Sequence, residues 1–349
     1  MAVATEHSAC QNMELEDQKP DKNSWVWNWF FNWTNSSPIM LRTVEKRILS
    51  FLKTSYRGFF VDIGPAIGES DKIWTIGLNT ESKEVPLVML HGLGAGIALW
   101  VLNLDTLARD RPVYAMDILG FGRSSRPTFS NDSLICEKQF VKSVEEWRRE
   151  MNINNMILLG HSMGGFIASS YALCYPERVK HLILADPWGF PEKPKESTTT
   201  KQIPFWVRAI AYALTPLNPL FALRAAGPFG QWVVQKMRPD IMRKFSSALE
   251  EDNLLPQYIH QCNAQKPSGE SAFHTMMESF GWAKNPMIHR IKDVRSDIPI
   301  TFIYGSRSWI DSSSGERIKS QRGSSMVEIK IVTGAGHHVY ADKPEIFNQ

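Results

Sequence analysis

The stretch Met156-Ile157-Leu158-Leu159-Gly160-His161-Ser162-Met163-Gly164-Gly165 constrains this chain more than any other. Its first four residues are apolar without alternation, as in a strand covered on both faces. The run Phe166 to Leu173 that follows is helical in character. A strand that gives way to a helix through Gly-x-Ser-x-Gly needs a sharp turn, which strains the serine and leaves its hydroxyl clear of the backbone; only small neighbours fit. The N-terminus of the new helix favours negative charge near that oxygen. Ser162 is therefore expected to be a nucleophile.

Similar β-rich runs recur at about 58–63, 73–78, 87–91, 113–117, 181–186, 299–305 and 327–333, which with 156–160 makes eight. Helical patterns such as 137–150 and 164–175 separate most of the later pairs. This alternation predicts an α/β architecture, a mostly parallel eight-stranded sheet joined by right-handed crossovers. The interval from about 189 to 298 is too long for a simple crossover and holds apolar helical stretches near 204–224 and 229–249, so a helical lid insertion is expected there. With 43% hydrophobic residues in 349, one catalytic domain over 56–349 has ample material for its core.

A formal net charge of +3 makes no electrostatic case for nucleic-acid binding. The four cysteines, at 10, 136, 174 and 262, have neither the spacing of a zinc site nor the density of a disulfide framework. Reduced thiols are expected, with no metal or cofactor. The acidic residues Glu6, Glu14, Glu16 and Asp17 stand where a secretory signal would be basic and then apolar. Residues 1–22 are read as a disordered acidic leader.

Residues 23–55 are read as an anchor followed by an amphipathic helix. Trp25, Trp27, Trp29 and Trp33 fall within nine residues, with Phe30 and Phe31 among them. That is too short to span a bilayer, but indole rings favour its interface, so a peripheral membrane anchor is expected. Ser37-Pro38 then offers an N-cap and first helical position for Leu41, Val44, Ile48, Leu49 and Leu52 at helical spacing. Farther on, Lys236, Arg238, Arg243 and Lys244 gather with Met237, Ile241, Met242 and Phe245, a pattern that fits either a phosphate headgroup contact or a solvated face.

A serine nucleophile needs a base and an acid. Of nine histidines, His337 follows the last predicted strand, and Asp311 follows the seventh. The chain order serine, acid, histidine is that of α/β-hydrolases. Asp311 is accordingly expected to orient the His337 imidazole. Met163 and Leu93, the latter in His91-Gly92-Leu93-Gly94, are expected to supply the backbone donors of an oxyanion hole.

His91 to Gly94, Asp117 to Pro127, Gly160 to Gly165, Asp186-Pro187-Trp188-Gly189-Phe190 and His337 to Asp342 together resemble one subfamily of α/β-hydrolase lipid enzymes. It contains the N-acylphosphatidylethanolamine lysophospholipase and the coactivator of adipose triglyceride lipase. The resemblance, from about residue 25 to the end, implies hydrolysis of a phospholipid or lysophospholipid. It also implies a cytoplasmic protein peripheral on lipid droplets or membranes, with the endoplasmic reticulum and mitochondrion as candidates. The lipase keeps the serine that the vertebrate coactivator has lost, so Ser162 resembles the catalytic member. Arg307 and Gly336 resemble the coactivator instead, which implies a triglyceride lipase and a droplet coat protein as partners. The spacing His337 to Asp342 matches the group's H-x4-D pattern, linked to acyl transfer onto lysophosphatidic acid; the same aspartate also reads as an N-cap with Glu345. The group continues past Asn348-Gln349 into a terminal helix, which suggests a truncated or alternative product.

Overall fold

The unalternating apolar runs form strands that feed two cores at once. In β3 (Leu87–Leu90), Leu87 and Met89 enter one core while Val88 and Leu90 enter the other. A strand points successive side chains to opposite faces, so a sheet covered on both sides needs apolar residues at every position. The computed structural model describes Trp33 and residues 36–194, 220–246, 249, 251, 253–278, 281–322 and 326–349. Within them α1 (Pro38–Leu49) precedes β1 (Tyr56–Asp62), β2 (Lys72–Leu78) and β3, and α2 (Val101–Leu107) leads to β4 (Val113–Met116). Then α3 (Ser133–Glu150), β5 (Met156–His161), α4 (Met163–Cys174) and β6 (Val179–Ala185) follow.

Between β6 and the next strand of the main sheet lie α5 (Phe221–Ala225), α6 (Gly230–Met237), α7 (Pro239–Phe245), α8 (Leu254–Asn263) and α9 (Gly269–Met276). A small hairpin of β7 (Met277–Glu278) and β8 (Trp282–Ala283) completes this insertion. The chain closes with β9 (Ile300–Gly305), α10 (Ser313–Gln321), β10 (Val327–Val332), α11 (Val339–Asp342) and α12 (Pro344–Phe347). The sheet order is β1-β2-β4-β3-β5-β6-β9-β10; β2 is antiparallel to both neighbours and the remaining pairs are parallel. All eight predicted strands are present. The helical stretch expected over 229–249 is broken into α6 and α7 at Pro239, which cannot donate the hydrogen bond that would continue the helix.

Phe140 and Trp147 of α3, Phe166 and Tyr171 of α4 and Phe273 of α9 share one core. Leu41 and Ile48 of α1, Trp100, Leu104 and Tyr258 share the other. The Ser37 hydroxyl caps α1 by accepting the Met40 N–H at 3.0 Å, and Leu41, Val44, Ile48 and Leu49 are buried. The apolar face of α1 is thus taken up by the fold. No helix among the described residues is long and apolar enough to cross a membrane. Cys136, Cys174 and Cys262 are free thiols. The leader, Trp25, Trp27, Trp29 and the stretch 204–219 lie outside the described residues.

One buried acid on α1 is not apparent from its helical pattern. Glu45 accepts the Trp74 indole N–H at 2.9 Å and the Arg123 guanidinium at 2.8 Å, and Arg123 stacks 3.5 Å over the Trp74 ring. Burial, reinforced by the neighbouring buried Asp117, pushes the Glu45 carboxyl up to about 8. Between about pH 4.5 and 8 the folded chain therefore holds a proton that the unfolded chain has released. The associated stability is complete below that window and is lost as pH rises through it. Glu45→Gln keeps an acceptor for Trp74 and Arg123 without the titration. Its melting temperature should fall less between pH 5 and pH 8 than that of the wild type, by a few degrees at about 2 to 4 °C per kcal/mol. Parallel melting curves for the two proteins would remove Glu45 as the source.

Candidate active site

The β5–α4 junction is built by close approach. A side chain at Gly160 would overlap the Gly164 carbonyl, and one at Gly164 would overlap the backbone of Leu90 and His91 in and after β3. Between them Ser162 has φ +53° and ψ −118°, a conformation strained for any residue with a Cβ. Its own N–H is bonded to Ala185 O at 3.1 Å, tying the turn to the end of β6. Its carbonyl accepts from Gly165, Phe166 and Trp188. With the backbone held on both sides, the hydroxyl points at a histidine.

That histidine is His337, as the sequence predicts: its Nε2 is 3.0 Å from Ser162 Oγ. Its carboxylate partner is Asp186, not Asp311. His337 Nδ1 is 2.6 Å from Asp186 Oδ2. Asp186 is fully buried at the end of β6, with φ +47°. Its Oδ1 accepts the Gly305 N–H at 3.2 Å, and its Oδ2 accepts the Ser308 hydroxyl. Asp311 is exposed and accepts the Ser313 N–H at 3.2 Å at the start of α10. The physical reason is the course of the loop after β9. Gly305 and Ser308 turn inward to serve Asp186, and this carries Asp311 outward to the helix start. The sequence signal for the acid was the Asp186-Pro187-Trp188-Gly189 run directly after the sixth strand.

Two further histidines frame the site, and burial pulls both imidazoles well below their usual range. His161 donates Nε2–H to the His337 carbonyl at 2.9 Å and so holds the backbone that presents the His337 ring. Burial, followed by the nearby His337, pulls its imidazole well below the usual range. His338 is likewise lowered by burial and then by His161 and His337; the Arg238 guanidinium of the insertion lies 3.4 Å from its Nδ1. His91 accepts the Ile118 N–H at 3.0 Å through Nε2 and donates Nδ1–H to Gly92 O at 2.8 Å. Both its nitrogens are thus committed to structure. Trp309, largely exposed, lies with its ring 5.2 Å from that of His337.

The loop after β3 stands beside the nucleophile. A Cβ at Gly92 would come within 3.0 Å of Ser162 Cβ, and Leu93 follows, half-buried. Asn263 of α8 donates to Gly94 O at 2.8 Å, so the insertion steadies this loop. Met163 is the first residue of α4, where a helix leaves N–H groups without intrahelical acceptors. Arg307 is exposed, and its N–H donates to Ala335 O at 2.8 Å, which makes it a neighbour of Gly336 in space. Asp342 is not a cap: it is the last residue of α11, accepts the Gly336 N–H at 2.8 Å and pairs with Lys244 of α7 at 3.1 Å. Trp33 is partly exposed and packs on Gly227. Among the described residues no group of three or more His, Cys, Asp or Glu side chains is arranged to hold a metal ion.

Residues 85–344 match the family model of the alpha/beta hydrolase fold. Over 334 residues the chain is 49% identical to the (Lyso)-N-acylphosphatidylethanolamine lipase of Mus musculus, spanning 95% of this chain and 96% of that protein. It is 48% identical over 330 residues to the 1-acylglycerol-3-phosphate O-acyltransferase ABHD5 of Homo sapiens, with 94% and 93% covered. Solved structures share the fold at low identity. Carboxylesterase CesB of Bacillus subtilis matches with TM-score 0.60 and 17% identity over 89% of this chain and 95% of that one. A bacterial membrane phospholipase A matches with TM-score 0.59 and 21% identity over 89% of each chain. The chain therefore belongs to the α/β-hydrolase family, in the group that holds the (lyso)-N-acylphosphatidylethanolamine lipases and their acyltransferase-named relatives.

Proposed function

We propose that this chain is a serine hydrolase of acyl lipids, of lysophospholipase or N-acyl-phosphatidylethanolamine lipase type, working through Ser162, His337 and Asp186. The observation that carries the reading is the unbroken relay from Ser162 Oγ through both His337 nitrogens to a buried carboxylate, at 3.0 and 2.6 Å. Its substrate class rests on the two relatives' names, one a lipase of a phospholipid and the other an acyltransferase of a lysophospholipid.

In this mechanism Ser162 Oγ attacks the ester carbonyl while its proton passes to His337 Nε2. Asp186 holds the Nδ1–H tautomer and stabilises the imidazolium. The oxyanion is received by the N–H groups of Met163 and Leu93. Collapse expels the alcohol, which takes the proton from His337, and leaves an acyl-serine that water then hydrolyses by the same steps reversed. A lysophospholipid hydroxyl in place of water would turn the second half into acyl transfer. The insertion α5–α9 acts as a lid, since its Asn263, Arg238 and Lys244 touch the oxyanion loop, His338 and Asp342.

A second reading, a droplet-bound coactivator of a triglyceride lipase, is favoured by one observation. The exposed Arg307 adjoins the half-buried Gly336 through its bond to Ala335 O, so the two can be read together by a partner.

A fluorophosphonate probe should label the wild type and not Ser162→Ala, whose lysophospholipid hydrolysis should fall by about 10⁴-fold or more. Stimulation of a partner lipase that survives in Ser162→Ala, with no probe labelling in the wild type, would move the function to the coactivator. Asp186→Asn should lower kcat by about 10³ to 10⁴ through the wrong imidazole tautomer, whereas Asp311→Asn should leave it near the wild-type value. The reverse order would return the acid to Asp311. Asp342→Ala, which frees the Gly336 N–H and leaves Lys244 paired with Asp240 alone, should depress hydrolysis and acyl transfer to lysophosphatidic acid in equal proportion. Loss of transfer alone would give Asp342 a direct part in that chemistry.

A further inference from the structure

Among the described residues, three rings lie against the His337 imidazole: those of His161, Trp309 and His338, with centroids 4.8, 5.2 and 5.5 Å away. His161 and His338 are buried, whereas Trp309 is 65% exposed. The histidines close the protein's side of the imidazole, and the way from it to solvent runs past one indole.

Trp309 is held where it stands. Before it, the Ser308 hydroxyl donates to Asp186; after it, the Ile310 N–H donates to Ser308 Oγ at 3.1 Å, and the Ile310 side chain is buried. The indole also reaches Gly281, just before β8 of the insertion hairpin, where a Cβ would lie 4.0 Å from the ring. The Gly281 carbonyl is itself fixed, accepting the N–H of the buried Trp188 indole at 2.5 Å. Single exposed apolar side chains are ordinary on a protein surface. A large ring fixed through both chain neighbours, with the proposed base beside it, is a place for a ligand.

The second task of His337 says which part of the ligand comes there. After taking the serine proton, the imidazole returns it to the departing alcohol, so the leaving oxygen must come within about 3 Å of Nε2. With His161 and His338 on the buried side, the rest of that alcohol extends outward, over Trp309.

We propose that Trp309 is a specificity residue for the alcohol half of the ester, its indole face receiving an apolar chain carried by the leaving alcohol. This rests on the hydrolase reading above. A chain laid on the ring removes apolar surface of both from water, whereas methanol or glycerol gives the ring almost nothing to cover. By reversibility an alcohol acceptor enters at the same place. Its oxygen bonds to the acyl carbon while its proton passes to His337 Nε2, and Ser162 Oγ departs with that proton. Water has no apolar part, so Trp309 favours transfer to a chain-bearing alcohol over hydrolysis.

The test uses the full chain and three esters of one fatty acid in the same detergent micelles: the methyl ester, lysophosphatidylethanolamine and its N-acylated form. All three give the same acyl-serine, so differences between them arise as the alcohol leaves. Trp309→Ala should lower kcat/KM for the N-acylated lipid about tenfold more than for the methyl ester, with lysophosphatidylethanolamine following the methyl ester. Trp309→Phe, which keeps a ring, should recover part of that difference. The ratio of acyl transfer to octanol over transfer to methanol should fall in Trp309→Ala as well. An equal fall on all three esters would make Trp309 a packing partner of His337 and overturn the proposal. A loss shared by both phospholipids would mark binding to the micelle surface and overturn it too. Fluorophosphonate labelling of Ser162 separates the two readings. Labelling in the wild type with an unchanged order of preference in the variants removes this proposal alone, and no labelling in the wild type removes the hydrolase reading with it.

Discussion

The contact on which the site depends is between backbones: α4 lies so close to β3 and β5 that neither Gly160 nor Gly164 has room for a side chain. This proximity forces the chain to reverse over one residue and gives Ser162 its positive φ. Strain of that kind persists only where the surroundings over-determine it. Here they do, through the Ala185 carbonyl on one side and the donors from Gly165, Phe166 and Trp188 on the other. The sheet supplies the rest by register. Since β6 lies between β5 and β9, the ends of three adjacent strands carry the serine, the buried acid and the donors that hold that acid.

The fold was legible in the sequence because its signals are local. An apolar run without alternation marks a doubly covered strand, and the glycine spacing around Ser162 marks the turn. His337 could be found by position alone. The acid could not, because two aspartates follow two successive strands, and the choice depends on which loop folds over the other. Asp186 and Asp311 are distinguished by the inward turn of Gly305 and Ser308, a fact of tertiary packing. The burial of Glu45 was hidden for a similar reason. Its partners Trp74 and Arg123 come from distant parts of the chain, and α1 read by itself presents a glutamate on an ordinary amphipathic helix.

The insertion and the catalytic loops are joined by polar contacts rather than by a common core alone. Asn263 holds Gly94, Arg238 approaches His338, and Lys244 reaches Asp342, which in turn holds Gly336 beside the base. These groups lie on two helices of the insertion and on the residue that links α6 to α7, so its displacement would be felt at the loop after β3 and at the histidine loop together. Asp342 gains its importance here as a fastener.

The location of the acid on β6 also has a consequence for how such a chain can change over generations. An enzyme that carries its carboxylate on the β9–α10 loop must conserve that loop's path to remain active. Here Gly305 and Ser308 bond to Asp186, while the exposed side chains of Arg307 and Asp311 make no bond to it. On the proposed reading, that rim can therefore change without disturbing the bonds that hold Asp186. Surface and site, though joined in one loop, are thus free to vary apart.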